Sequence, residues 1–192
     1  MADAFPTAAT WRHLDARQGF ETLFPVRTVG GWRLEGWATG LEDGVAWGVR
    51  YEIVLDEGGR TREARIECRH EGGASRVLVE GDGAGAWVVD GAPAPHLDGC
   101  LDVDLEASAF TNAFPVRRLA LAVGRGADAP AAWVRAPGLA VERLEQTYAR
   151  LPDEGGRARY DYASPGQGFA AVLTFDTDGL VLDYPGIAVR LA

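Results

Sequence analysis

The sequence predicts an all-β, antiparallel protein, and three observations carry the prediction. Apolar and polar residues alternate at period two through most of the chain, Gly- and Asp-rich turns recur at short intervals, and sustained helical periodicity is nearly absent. Over residues 45–56, Val45, Trp47, Val49, Tyr51, Ile53 and Leu55 share one face and Arg50, Glu52 and Asp56 the other, which describes a long half-buried strand. Residues 62–70 alternate alike, with Ala64, Ile66 and Cys68 set against Glu63, Arg65, Glu67 and Arg69. Further strands are predicted at 32–39, 76–80, 87–90, 101–105, 116–123, 157–163, 169–176 and 180–184. Between them lie Glu57-Gly58-Gly59, Glu71-Gly72-Gly73, Gly81-Asp82-Gly83, Asp98-Gly99 and Thr177-Asp178-Gly179, residue types that tolerate the positive φ of tight hairpins. The series suits an antiparallel barrel or sandwich.

Residues 139–151 resist this pattern. Leu144, Tyr148 and Leu151 stand at helical spacing among good helix formers. An internal similarity argues the other way. Asp56-Glu57-Gly58-Gly59-Arg60 recurs as Asp153-Glu154-Gly155-Gly156-Arg157, about half the chain later, with Tyr51 and Tyr148 matching upstream. Two pseudo-repeats, about 1–96 and 97–192, are therefore expected within one domain spanning 1–192, and 139–151 is assigned as strand.

Composition excludes several functions. The 192 residues are 47% hydrophobic, enough for a packed core, and the net charge of −9 opposes nucleic acid and anionic membrane surfaces. All 19 basic residues are Arg, as a GC-rich genome would produce. No run approaches the ~20 apolar residues of a membrane span, so no stable membrane insertion is expected. The N-terminal residues lack the basic start and apolar run of a signal peptide, and the chain is expected in the cytoplasm. Cys68 and Cys100 read as reduced, buried thiols. His13, His70 and His96 are scattered without ligand spacing, so neither a metal nor a cofactor is expected. The sequence leaves the oligomeric state open.

The most specific segment runs from Gly99 to Leu119. Leu101, Val103 and Leu105 face one way, leaving Asp102 and Asp104 on the opposite face with Cys100 and Glu106. Arg117 and Arg118 lie in an apolar run, where an unpaired charge would cost several kcal/mol. Read as a strand, 116–123 points Arg118 inward with Val116, Ala120 and Ala122. Three readings stay open: a buried Arg–Asp pair fixing register, an Arg aimed at a ligand head group, and paired carboxylates for acid–base chemistry.

Gly99-Cys100, Asp104-Leu105, Phe110-Thr111-Asn112, Pro115, Arg117-Arg118-Leu119, Gln146, Tyr148, Tyr160, Tyr162 and the closing 176–186 run with Arg190 occur in one order. In this pattern the chain resembles the putative glycolipid-binding protein family, a former domain of unknown function. It departs with Ala109 where Pro is usual and Ile187-Ala188 where Leu-Trp is usual. The resemblance is most specific over about 97–192. It implies a long antiparallel open barrel with an apolar interior, similar in shape to periplasmic lipoprotein carriers.

The expected function is to bind a hydrophobic or amphipathic small molecule, glycolipid-like, held in the barrel interior. Arg117, Arg118, Asp102, Asp104, Asn112, Tyr148, Tyr160, Tyr162 and Tyr184 are the candidate ligand-binding residues. The alternative is a hydrolase of a phosphorylated or acylated small molecule, with Asp102 or Asp104 as base and Arg117 and Arg118 as anion clamp.

Overall fold

The computed structural model describes residues 4–15 and 17–192. In chain order the strands are β1 (Ala9–His13), β2 (Phe20–Thr28), β3 (Gly31–Glu42), β4 (Val45–Asp56), β5 (Thr61–His70), β6 (Gly73–Gly81), β7 (Trp87–Val89), β8 (Ala92–Pro93) and β9 (Asp102–Leu105). After one α-helix, α1 (Ala113–Leu119), follow β10 (Gly126–Asp128), β11 (Ala131–Val134), β12 (Val141–Leu144) and β13 (Thr147–Glu154). The last are β14 (Arg157–Ser164), β15 (Phe169–Phe175), β16 (Val181–Tyr184) and β17 (Ala188–Arg190).

Fourteen strands form one antiparallel sheet in the order β10-β13-β14-β15-β16-β17-β1-β2-β3-β4-β5-β6-β7-β8. The outermost strands β10 and β8 are not paired with each other, so the sheet is not closed into a barrel. A second sheet of three strands, β12-β11-β9, sets β9 parallel to β11. No helix among the described residues is long and apolar enough to cross a membrane. An even number of antiparallel steps separates β4 from β13, so the two Asp-Glu-Gly-Gly-Arg turns lie along the same edge of the sheet.

The alternation in 45–56 does what it predicts: Trp47, Val49, Tyr51, Ile53 and Leu55 are buried, while Val45 at the hairpin end is exposed. Within 139–151, residues 141–144 and 147–151 form strands, broken at Glu145-Gln146 between β12 and β13. Leu144 and Tyr148 are both buried, one from each strand, so their helical spacing is incidental and sheet pairing overrides propensity.

The prediction for 116–123 is overturned. Residues Phe110–Asn112 make a 3-10 turn that runs into α1, and residues 120–125 form no strand. A short apolar run does not distinguish buried strand from helix by periodicity. Phe110, Ala113, Phe114 and Val116 are buried, whereas Arg117 and Arg118 leave the core side; Pro115 sits in the first helical turn, where its missing N–H removes no bond. The inward strand face of Arg118 with Val116, Ala120 and Ala122 does not exist.

This helical segment lies across the core-facing side of the large sheet. Phe110 stands 6.0 Å from Trp11 of β1 and 5.1 Å from Phe114, ring centroid to centroid. The Val103 N–H donates to the Thr61 hydroxyl of β5 at 3.0 Å, and the Tyr148 hydroxyl of β13 donates to Asn112 Oδ1 at 2.8 Å. Trp11, Phe110, Phe114, Leu97, Leu173 and Phe175 are all fully buried in one continuous cluster.

Glu21 fastens the segment. It projects from β2 toward the core and is fully buried. Its Oε1 accepts from the Tyr51 hydroxyl at 2.7 Å and from the Ser108 hydroxyl. Its Oε2 accepts the backbone N–H of Ala109 at 2.8 Å and of Phe110 at 3.4 Å, donors that the start of the helical segment leaves without an internal partner. Tyr51 reaches Glu21 because Gly36 on the intervening strand β3 has no side chain; a Cβ there would collide with the Tyr51 ring and hydroxyl. Burial raises the Glu21 carboxyl while the four donors pull it down.

Glu21→Leu strands two hydroxyls and two backbone N–H groups, an expected loss of about 3–5 kcal/mol. Glu21→Gln keeps one oxygen for the N–H pair and offers its amide to the hydroxyl oxygens, so it should lose much less. Urea unfolding of the two variants checks this, and equal losses would show that the carboxylate contributes volume only.

Candidate functional site

The segment that carries most of the sequence signal divides into two halves with different surroundings. On one side, Arg118 at the end of α1 grips Asp102 of β9 as a fork, Nε to Oδ1 at 3.1 Å and Nη2 to Oδ2 at 2.6 Å. Asp102 is buried and the Arg118 side chain is 14% exposed. Burial pushes the Asp102 carboxyl up, against the pull of the Arg118 guanidinium. Arg117 donates to the carbonyls of Asp178 and Ala4, and its guanidinium lies 3.8 Å from the centroid of the Phe5 ring. Both arginines line a surface cleft of 570 Å³ beside Trp32 and the 56–59 turn.

On the other side, Asp104 is bound by the Thr111 hydroxyl at 2.6 Å, and that oxygen also accepts the Leu105 N–H at 3.3 Å. Asp104 lines a pocket of 260 Å³ with Asn112, Ser108, Tyr162, Tyr184 and Arg17, walled by Trp133, Phe169, Leu144 and Ile187. The strands of both sheets meet here: β9, β11 and β12 from the small sheet, β14 to β16 from the large one. Tyr162 and Tyr184 stand 6.0 Å apart, ring to ring, and share a hydrogen bond; Phe169 packs edge-on against Tyr184 at 5.8 Å.

Burial pushes the Asp104 carboxyl up to about 6, with Asp102 and Glu106 adding like-charge repulsion that the Thr111 hydrogen bond opposes. The Tyr162 and Tyr184 hydroxyls are raised by the same burial and remain protonated donors. The pocket thus presents a carboxyl that titrates near neutrality, two phenols, a carboxamide and a cation, between aromatic and aliphatic walls. Such a set orients a small polyhydroxylated group by hydrogen bonds while apolar faces stack on its rings.

The sequence-predicted site residues separate accordingly. Asp104, Asn112, Tyr162 and Tyr184 share the pocket. Tyr148 is buried behind it, holding Asn112. Asp102 is locked to Arg118, Arg117 to the 178 carbonyl, and Tyr160 lines a separate 380 Å³ cleft near Arg150 and Asp153. Arg117 and Arg118 therefore face a different cleft from Asp104 and do not clamp anything beside it. Arg17, Ser108, Trp133 and Phe169 escaped sequence reasoning. Ser108 lies within the singled-out segment, a signal by position, but Arg17 sits in a loop with no pattern around it. Among the described residues, no group of three or more His, Cys, Asp or Glu side chains gathers as a metal site. A groove of 590 Å³ on the outer face between Trp37, Arg50, Arg69 and Arg76 collects arginines that already face water.

Two predictions follow from the two halves. Removing one partner of a buried ion pair strands the other, so Arg118→Ala should destabilise the protein by about 3–5 kcal/mol, with Asp102→Asn restoring part of the loss in the double variant. Chemical denaturation checks both; an Arg118→Ala protein of wild-type stability would show the pair to be a solvated surface contact. For Asp104, the folded carboxyl keeps its proton up to about 6 against an ordinary 3.8, so the folded state binds more protons in that window. Stability present below pH 4 is lost as pH rises to 6, on the order of 2–3 kcal/mol. Asp104→Asn retains the Thr111 bond and removes this titration, so its melting temperature should fall less than that of wild type between pH 4 and 6. Parallel pH profiles for the two proteins would place the Asp104 titration at its ordinary value.

Comparisons with known proteins agree with one another. The profile of the family described as "Putative glycolipid-binding" matches residues 8–190. A crystal structure of a DUF1089 family protein from Pseudomonas aeruginosa is similar to this fold with a TM-score of 0.74. The two sequences are 34% identical, and the match covers 89% of this chain and 92% of that one. No curated protein matches the chain.

Proposed function

The chain belongs to the putative glycolipid-binding family, and from that premise we propose that it binds an amphiphile whose hydroxylated head group sits in the Asp104–Tyr162–Tyr184 pocket. The observation that carries the reading is the convergence of nine polar or charged residues, from Arg17 to Tyr184, on one small pocket with aromatic walls. Its 260 Å³ lies just below the ~300 Å³ where ligand cavities for whole small molecules begin, which suits a head group alone. The ligand belongs at this rim because residues 97–119 fill the core-facing side of the sheet, where an open interior would otherwise take the tail. Leu144, Ile187 and Phe169 offer the tail a first apolar surface, each methylene removed from water contributing ~0.8 kcal/mol.

Octyl β-D-glucoside is a suitable probe. Calorimetric titration of the wild type should show saturable binding, weakened at least tenfold in Asp104→Asn and Tyr162→Phe while both variants keep near-native melts at pH 7. Undiminished binding in both variants would place the ligand elsewhere, in one of the larger clefts.

A further inference from the structure

We propose that the natural ligand of this pocket is acidic, carrying a carboxylate or phosphate that pairs with Arg17; this rests on the head-group reading above and narrows it. Arg17 is 8% exposed, and no carboxylate among the described residues lies within ion-pair distance of it. Among the described residues, its guanidinium makes one hydrogen bond, from Nη1 to the backbone carbonyl of Glu106 at 2.7 Å. Its Nε is covered and has no hydrogen-bond partner among the described residues. The guanidinium lies 5.4 Å from the centroid of Trp47, a cation–π contact that compensates only part of the lost hydration.

Among the described residues, none of the acidic or titratable groups around it forms an ion pair with it. His13, on β1, is buried with Nδ1 against the Thr39 carbonyl; burial and the nearby Arg17 lower it to about 4, so it is neutral at pH 7. Tyr184 stays protonated. The Glu106 side chain turns away, accepting the Ala136 N–H at 2.9 Å and meeting Arg135 at 3.6 Å. Asp104, on another wall, is engaged by Thr111. A guanidinium held this way is a fork with donors to spare, and the oxyanions that match its geometry are carboxylate and phosphate. The walls beside it bear hydroxyls and aromatic faces, so the class indicated is an acidic glycolipid, with the sugar between Tyr162 and Trp133 and the oxyanion toward Arg17.

The test compares three amphiphiles with the same tail on the full chain: octyl β-D-glucoside, octyl β-D-glucuronide, and the 6-phosphate of octyl β-D-glucoside. The wild type should bind at least one acidic probe tenfold or more tightly than the neutral one, and which of the two wins tells carboxylate from phosphate. Arg17→Met keeps an apolar stem beside Trp47 and should erase that preference, leaving the acidic probes no tighter than the neutral one. Arg17→Lys, which keeps the charge but not the fork, should retain part of it and serves where the Met variant folds poorly. Equal affinity of the wild type for all three overturns the acidic assignment and leaves the head-group pocket standing. Absence of binding by any of them overturns both.

Discussion

A single buried carboxylate organises this protein. Glu21 faces inward from a strand whose inward neighbour is Leu23, with no cation to neutralise it, and it survives there because four donors point at it. Three of the four come from residues 108–110, so the contact joins the large sheet to the turn from which the helical segment starts. From that turn descend Asn112, which borders the pocket, and α1, whose end carries Arg118 back to Asp102. The position of the pocket wall is thus fixed by hydrogen bonds, one of them made by Ser108, which itself lines the pocket.

The same fact explains what could be read in the sequence and what could not. Strands β4 and β5 were legible because their inward face from Trp47 to Cys68 is apolar or small and their charges go out. Strand β2 was not, because its pattern is inverted: Glu21 is buried while Phe20, Phe24 and Val26 face solvent. Residues 116–123 read as strand because Val116, Leu119, Leu121 and Val123 are apolar at spacings that both geometries allow; the choice is made by contacts with Phe5, Asp102 and Asp178, none of them local. That an arginine of this run meets a carboxylate among Asp102, Asp104 and Glu106 was one of three readings that charge burial left open, and it did not need the correct secondary structure.

The site was half legible for a related reason. Asp104, Asn112, Tyr162 and Tyr184 lie in segments whose residue order resembles a family pattern, so resemblance pointed to them without geometry. That resemblance treated all of them as equals, whereas packing sorts them into walls, supports and locks. Arg118 turns its fork on Asp102, and Tyr148 gives its hydroxyl proton to Asn112, so both are committed to partners within the fold. Arg17 has the reverse character, an ordinary loop residue in sequence whose donors are left over once the chain has folded.

The pairing of β1 with β17 sets the order in which the protein can be completed. Trp11 registers with Arg190, and its indole N–H reaches the Val181 carbonyl at 2.7 Å, so the first strand finds one of its two partners only at the far end of the chain. Until then β1 has a single neighbour, β2, and presents an unpaired edge beside the exposed Phe20 and Phe24 of that neighbour. On a ribosome that edge stays open while some 170 further residues are made, a template for pairing with another nascent copy. Closure by such distant contacts is slow by its nature, since the loop entropy is lost before the contacts form. The hazard of that open seam is thus a matter of time and separate from the stability of the finished sheet.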